Sequence, residues 1–162
     1  MPGRVVFPGL FASLTLRAAL WAFNAQLADR VIHDLNVETT PPFADRQFDA
    51  VICTASVEYL TNPVAVFREL GRILKPGAPA IMTFSDRWFP TKVIELWTEL
   101  HPFERLARVQ AYFCSTGNFT GIETETARGR LRPENDNYAR QQAFSDPAYA
   151  VWARASSMGS PY

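Results

Sequence analysis

Two apolar stretches of the chain, residues 30–35 and 48–54, end in polar or small residues. Their β-branched and near-continuous apolar composition predicts strands of a parallel sheet. Ligands of open α/β sheets bind at the carboxyl ends of such strands. Carboxylates, amides and hydroxyls at that edge can bind the polar groups of a ligand, so we expect one shared site there. The candidate residues are Asp34 and Asn36 at the first end, and Cys53, Thr54 and Ser56 at the second.

Each candidate also has a purely structural explanation. Asp34 can cap its own loop through a hydrogen bond from side chain to backbone. Residues 53–56 can be an ordinary connection between a strand and a helix. The residue types alone leave both alternatives open.

The composition limits the kind of ligand. The chain has 162 residues, of which 48% are hydrophobic, and a formal net charge of zero. These values are typical of one globular domain and lack the basic excess of nucleic-acid-binding proteins. The two cysteines form no CxxC pair and the two histidines lie far apart, so we expect neither a metal site nor a nucleic-acid partner.

The first 26 residues are largely apolar and resemble a signal peptide superficially. Pro8, Gly9 and Arg17 interrupt them, and the remaining apolar pieces are too short to span a bilayer. We therefore expect a cytoplasmic protein without membrane association. A short strand at residues 4–7 and a helix at residues 12–28 are the predicted elements of this segment.

The middle of the chain alternates strand and helix patterns. Asn62 is a suitable N-cap, Pro63 fits the first helical position, and apolar residues then recur at helical spacing. Lys75-Pro76-Gly77 ends this helix, and residues 79–85 are a third apolar strand. Strand, helix and strand in this order indicate right-handed parallel crossovers in an α/β fold.

The end of the chain follows a different pattern. Residues 91–100 and 103–113 carry helical apolar stripes, and Gly117 can end the second helix. Residues 119–128 and 149–156 alternate as half-exposed strands do, with no helical pattern between them. They predict a final antiparallel pair.

Several motifs in this order resemble one family. The motif "HDLN", then "PPFADRQFDAVIC" and then "RELGRILKPGAPAIMTFS" are similar to the second half of class I S-adenosylmethionine-dependent methyltransferases of the type 11-like group. The motifs "FSDRWFPTKVIELW" and "SDPAYAVWARAS" resemble a bacterial and plant subgroup, and the resemblance covers residues 24–156. It implies a three-layer Rossmann-like methyltransferase sheet, N-terminally truncated, whose antiparallel pair matches the family's sixth and seventh strands.

The resemblance implies S-adenosylmethionine as the cofactor. Asp34 takes the role of acceptor for the exocyclic amine of adenine, with Leu35 and Asn36 beside the base. The end of the next strand, residues 53–56, lies by the methionine part of the cofactor in this family. The cofactor-binding candidates are therefore Asp34, Leu35, Asn36, Cys53, Thr54 and Ser56.

The acceptor substrate, by the same resemblance, docks beyond the strand ends. Arg87 could bind a carboxylate or phosphate there, or it could satisfy loop carbonyls at the surface. Glu58 and Tyr59 could reach the substrate, or they could face solvent at the start of a helix. No residue is assigned a catalytic role. The substrate-binding candidates are Glu58, Tyr59, Ser85, Arg87 and Phe89.

The chain departs from the family in its first part. Class I methyltransferases open with a strand and a turn near G-x-G-x-G, whereas only Gly3 and Gly9 precede Phe48 here. We therefore expect one incomplete domain over residues 1–162, with an atypical lead-in at 1–29 and a family-like part at 30–156. Because the glycine-rich turn supplies close backbone contacts, we expect the chain to bind the cofactor weakly or not at all.

Three functions remain open from the sequence. The first is methyl transfer to a small-molecule acceptor. The second is a truncated, non-catalytic relative that acts as a binding module or as a subunit of an intact homologue, with a protein partner that completes the sheet. The third, an unrelated nucleotide-binding α/β protein, is disfavoured by the absence of a glycine-rich phosphate loop.

Overall fold

A computed structural model describes the backbone of residues 5–6 together with residues 31 and 33–157. These residues form a five-stranded mixed sheet whose strands have the order β1-β2-β3-β5-β4. The strands are β1 (Val5–Val6), β2 (Ala50–Thr54), β3 (Pro79–Ser85), β4 (Phe119–Ala127) and β5 (Ala148–Ala155).

The first three strands are parallel. β1 pairs with β2 through Val5 opposite Ala50, and β2 pairs with β3 over four residues from Val51 to Thr54. Val51, Cys53 and the even-numbered residues of β3 from Ala80 to Phe84 are buried, as the apolar runs predicted. The carboxyl ends of β2 and β3 therefore lie at the same edge of the sheet, with Thr54 opposite Thr83.

The last two strands are antiparallel, as predicted. β5 lies between β3 and β4 and is antiparallel to both of them. The β4–β5 ladder has an irregularity between Thr120 and Glu123, where Gly121 has a φ of 61°. This pair extends the sheet beyond β3 and places the β4–β5 connection near the edge where β3 ends.

Two longer helices pack together beside the sheet. Helix α1 (Pro63–Ile73) begins at Asn62, whose side chain accepts a hydrogen bond from the backbone N–H of Ala65. Helix α3 (Pro102–Thr116) ends at Gly117, whose φ of 66° is the left-handed conformation that favours glycine. Both helix ends confirm the sequence prediction. A short helix α2 (Glu95–Glu99) occupies only half of the predicted stretch 91–100.

An aromatic cluster joins the two longer helices to the sheet. The ring of Phe67 on α1 makes edge contacts with Tyr112 and Phe113 on α3, at centroid distances of 5.5 and 4.8 Å. Phe113 in turn contacts Phe119 on β4. Phe67 and Phe113 are fully buried, so their burial contributes several kcal/mol to the free energy of folding, at about 2–3 kcal/mol per ring.

The predicted strand at residues 30–35 is wrong over the part that the structure describes. Residues 31, 33 and 34 are in no strand, and Leu35–Val37 form a turn. The carbonyl of Asp34 accepts from the N–H groups of Val37 and Glu38, and its carboxylate accepts from the N–H of Asn36. These local bonds close a turn that competes with a strand ladder, which is the known tendency of Asp and Asn.

The predicted lead-in is described in one place only. The short strand expected at residues 4–7 is present as β1. The helix expected at residues 12–28 lies outside the described residues.

Candidate functional site

The turn at residues 34–37 is attached to the segment that follows β2. The side-chain amide of Asn36 donates to the carbonyl of Tyr59 at 3.0 Å. Its oxygen accepts from the backbone N–H and the hydroxyl of Thr61, at 2.9 and 3.1 Å. Three hydrogen bonds therefore hold this turn beside the end of β2, although it is not itself a strand.

The carboxylate of Asp34 is partly committed to its own turn. Its Oδ1 atom accepts from the N–H of Asn36 at 2.9 Å, which is the capping role that sequence reasoning left open. In the described part of the chain, Oδ2 makes no hydrogen bond. One oxygen of Asp34 thus orders the turn while the other is available to a donor.

A small cavity lies between this turn, the end of β2 and helix α1. Its volume is about 10 Å³, enough for roughly one water molecule. Its position brings together residues from both predicted strand ends. Its lining consists of Leu35, Cys53, Ser56, Leu60, Val66, Phe67, Leu70 and Met82.

The backbone turns sharply where β2 ends. Ala55 has a φ of 48°, an uncommon conformation for a residue with a Cβ atom, and its N–H donates to the carbonyl of Thr83 on β3. The hydroxyl of Ser56 donates to the carbonyl of Thr54, and the Thr54 and Thr83 hydroxyls are 3.1 Å apart. Thr54 is exposed at this edge, whereas Cys53 and Ser56 are buried.

A buried thiol ends the core face of β2. Cys53 is fully enclosed, and burial together with the nearby charge of Glu58 raises the pKa of the Cys53 thiol to about 12. The thiol is therefore neutral at physiological pH and behaves as a small apolar group.

Glu58 is the most unusual side chain in this region. It lies on a 3-10 helix, Val57–Tyr59, and only 1% of its surface is exposed. Neither carboxyl oxygen has a hydrogen-bond partner, and burial raises its pKa to about 7. The alternative that Glu58 and Tyr59 face solvent is contradicted, because both are buried.

The segment after β3 is fastened to the same 3-10 helix. The backbone N–H of Phe89 donates to the Tyr59 hydroxyl at 2.9 Å, and their rings are 6.3 Å apart. The N–H of Ile94 donates to the carbonyl of Glu58 at 3.2 Å. Two of the predicted substrate-binding segments are therefore in direct contact.

The remaining predicted substrate residues are engaged in other ways. Ser85 accepts from the N–H of Arg87, and Phe89 is half exposed. The guanidinium of Arg87 pairs with Asp146 at 2.8 Å and lies over the ring of Tyr138 at 4.9 Å. Arg87 thus joins the segment after β3 to the loop between β4 and β5. Its guanidinium binds groups of the protein itself.

Sequence reasoning missed a buried arginine beside this segment. Arg105 on α3 is 5% exposed, donates to the carbonyl of Trp97 and lies 4.3 Å from the centroid of Trp88. Asp86 accepts weakly from Arg105 and also from the hydroxyl of Tyr149. Burial lowers the pKa of Arg105. The helical spacing of apolar residues did not predict the burial of Arg105, because a charged residue within an apolar stripe is normally expected to be exposed.

The described residues hold no group of three or more His, Cys, Asp or Glu side chains suited to a metal ion. None of the helices that they form has the length and apolarity needed to cross a membrane.

A family comparison supports the fold that the strands define. Residues 13–82 match the model of a methyltransferase domain. The match begins inside the expected lead-in at residues 1–29, whose boundary stays a prediction. Uncharacterized proteins of Mycobacterium tuberculosis and Mycobacterium bovis are 28% identical over 120 residues, or 74% of this chain. The chain spans about a third of the length of these relatives, since the match covers 34% of them.

Solved structures share the same fold. A candidate methyltransferase of Bacillus halodurans is 14% identical with a TM-score of 0.55, covering 94% of this chain and 83% of that one. A 16S rRNA adenine N1-methyltransferase of Catenulisporales acidiphilia, solved with S-adenosylmethionine, is 19% identical with a TM-score of 0.50, covering 78% and 61%. A chain from a complex between the Haloferax volcanii Trm112 methyltransferase activator and a methyltransferase is 16% identical with a TM-score of 0.50, covering 79% and 61%.

The sheet and its closing antiparallel pair are thus those of a Rossmann-like methyltransferase fold. The chain therefore resembles class I methyltransferase-domain proteins, through the model match over residues 13–82 and through its fold.

Proposed function

We propose that this chain binds S-adenosylmethionine and serves methyl transfer to a small-molecule acceptor. The observation that carries the proposal is the attachment of the 34–37 turn to the end of β2. Asn36 bonds to the segment after β2, and Leu35 shares a cavity with Cys53 and Ser56. Residues that the family uses for the adenine and methionine parts of the cofactor are therefore neighbours.

In this proposal, Asp34 accepts a hydrogen bond from the exocyclic amine of adenine through Oδ2. Its Oδ1 atom keeps the turn closed through the N–H of Asn36. Leu35 and Asn36 lie beside the base, and the backbone at Thr54 and Ser56 lies by the methionine part. Thr54 and Ala55 are exposed at this turn, so a ligand can approach it closely.

The acceptor would lie beside the half-exposed Phe89, where the segment after β3 meets the 3-10 helix. Tyr59 and Phe89 hold these two parts together, so they fix the distance between cofactor and acceptor. Methyl transfer depends mainly on such positioning, because the sulfonium already activates the methyl group. When bound, the cofactor supplies that methyl group as an electrophile.

The affinity for the cofactor is expected to be weak. Only two glycines, Gly3 and Gly9, precede Phe48, so the close backbone contacts of a glycine-rich turn have no equivalent in the sequence pattern. A partial site still bears the cost of immobilising the ligand. Binding weaker than micromolar is the consequence.

Equilibrium dialysis of the purified chain with methyl-labelled S-adenosylmethionine tests the proposal. We expect saturable binding in the high micromolar to millimolar range that Asp34→Ala weakens at least about tenfold, since a lost charge-assisted hydrogen bond costs about 1.5–3 kcal/mol. Asp34→Asn keeps an oxygen that can accept from the N–H of Asn36 but removes the charge. Comparing the affinities of the two variants therefore separates the effect of losing the turn from the effect of losing the carboxylate. Asp45→Ala, an exposed carboxylate paired with Arg72 away from the strand ends, is the control. Absence of saturable binding contradicts the proposal.

A second candidate is a non-catalytic binding module or subunit of an intact homologue. It predicts cofactor binding without methyl transfer by the chain alone, and recovery of transfer when a complete homologue is added. A protein partner that completes the sheet would then be required.

A further inference from the structure

The carboxyl group of Glu58 is buried without a hydrogen-bond partner among the described residues. It is 1% exposed, and neither Oε1 nor Oε2 has a hydrogen-bond partner in the described structure. Buried carboxylates in native proteins are nearly always paired or hydrogen-bonded, so each exception needs an explanation. No Lys or Arg among the described residues forms an ion pair with it.

The surroundings of Glu58 relieve this cost only in part. Burial raises the pKa of the carboxyl group more than the backbone N–H of Glu58 and the Tyr59 hydroxyl, which also accepts from the N–H of Phe89, lower it. The nearby thiol of Cys53 is itself buried and neutral. The carboxyl group therefore remains a strong proton acceptor.

The backbone holds Glu58 in a defined place. Its carbonyl accepts from the N–H of Ile94, in the segment after β3, and the 3-10 helix that carries it follows directly on Ser56. Glu58 thus lies between the predicted cofactor edge and the predicted acceptor segment. A proton acceptor for methyl transfer has to occupy this kind of position.

We propose that Glu58 accepts the proton of the acceptor's reacting group, so the substrate is an amine or a hydroxyl compound that arrives with that proton. This inference rests on the proposed function. The nitrogen or oxygen of the acceptor attacks the methyl carbon, a bond forms to that carbon, and the carbon–sulfur bond breaks. The leaving electron pair stays on sulfur, which gives S-adenosylhomocysteine, and the proton passes to the Glu58 carboxylate.

The same chemistry excludes another class of acceptor. An acceptor that is already anionic needs no proton acceptor and would be repelled by a buried carboxylate. A site built around Glu58 therefore favours groups that donate a hydrogen bond. A carboxyl group whose pKa is about 7 is also half ionised at neutral pH, which suits a general base.

The test measures formation of S-adenosylhomocysteine by the full chain at millimolar S-adenosylmethionine with three probes of similar size. Benzylamine carries an N–H group, phenol carries an O–H group, and benzoate is an anion without a transferable proton. We expect transfer to benzylamine or phenol and none to benzoate. Glu58→Gln should lower the rate at least about a hundredfold, the usual contribution of a general base. Glu58→Asp should retain more activity than Glu58→Gln.

Two controls make the result interpretable. Glu99→Gln removes an exposed carboxylate on α2 and should leave the rate unchanged. Cofactor binding by Glu58→Gln, measured by dialysis, should stay within about twofold of the unmodified chain, and the rate of the unmodified chain should rise with pH while that of the variant does not.

Three results overturn the inference while cofactor binding persists: transfer by Glu58→Gln at the unmodified rate, transfer to benzoate as fast as to the other probes, or no transfer to any probe. Absence of cofactor binding overturns the proposed function and this inference with it. The dialysis measurement distinguishes these two failures.

Discussion

The hydroxyl oxygen of Tyr59 accepts a hydrogen bond from the backbone N–H of Phe89 at 2.9 Å, which ties the 3-10 helix to the segment after β3. Tyr59 is buried, whereas Phe89 is half exposed. A buried side chain, Tyr59, therefore holds the partly exposed segment after β3 in place. This contact is the point at which the two predicted substrate-binding regions meet.

The first prediction concerns this contact. Tyr59→Phe should lower the free energy of unfolding by about 1 kcal/mol, because the N–H of Phe89 loses its acceptor. Urea unfolding followed by circular dichroism measures the change. Tyr138→Phe is the matched control, since Tyr138 is exposed and uses its ring to contact Arg87. Equal effects of the two substitutions would show that the Tyr59 hydroxyl does not hold the segment.

The second prediction is a pH dependence caused by Glu58. Burial raises the pKa of this carboxyl group to about 7, so the folded chain binds a proton that the unfolded chain has released. Stability from this group is present below pH 4.5 and is lost as pH rises through about 7. Between about pH 5 and about pH 8 the unmodified chain should lose about 2.5 kcal/mol relative to Glu58→Gln.

Urea unfolding at both pH values measures this difference, with Glu99→Gln as the control for removing a carboxylate. A constant difference between the unmodified chain and Glu58→Gln at all pH values would mean that Glu58 is ionised normally in the folded state.

The third prediction separates the two thiols. Cys53 is buried, and the pKa of its thiol is raised to about 12, whereas Cys114 is exposed on α3. Because the thiolate is the reactive form, iodoacetamide should label one thiol in the native chain and two in denaturant. Mass spectrometry of the labelled peptides identifies the residues. Native labelling of Cys53 at a rate comparable to Cys114 would contradict the described packing of β2.

The fourth prediction concerns a close approach between α1 and the start of β4. A Cβ atom added at Gly71 would lie 2.8 Å from the Cβ of Asn118. Gly71→Ala should therefore destabilise the chain by about 1–3 kcal/mol through overpacking. The substitution Asn118→Gly in the same chain should recover part of that loss in a double-mutant cycle. Strictly additive effects of the two substitutions would show that the residues do not clash.

The fold was predictable where local and long-range preferences agree. The apolar runs of β2 and β3 are buried as parallel strands require, and Asn62, Pro63 and Gly117 mark helix ends that depend only on local bonds. The two alternating final strands are consecutive in the sequence and adjacent in the sheet. In each case the sequence pattern is compatible with only one type of secondary structure.

The strand predicted at residues 30–35 failed for a local reason. Val31 and its neighbours have strand preferences, but Asp34 binds the N–H of Asn36 and closes a turn instead. The structure still attaches this stretch to the segment after β2, because Asn36 bonds to Tyr59 and Thr61.

The environments of single side chains were harder to predict than the strands. The sequence left open whether Glu58, at a helix start, faces solvent or a substrate, and only the packing of the segment after β3 shows that it is buried. Arg87 pairs with Asp146, a residue of the β4–β5 connection that no local pattern brings near. Such contacts depend on the order of strands in the sheet.

The most direct measurement of the central claim is a nuclear magnetic resonance titration of the labelled chain with S-adenosylhomocysteine. This product analogue reports weak binding residue by residue. We expect saturable shifts of the backbone amides at residues 34–36 and 53–56, with smaller shifts at Glu58 and Tyr59 and none along β4. Shifts confined to β4 and α3, or no saturable shift at millimolar ligand, would contradict a cofactor site at the carboxyl ends of β2 and β3.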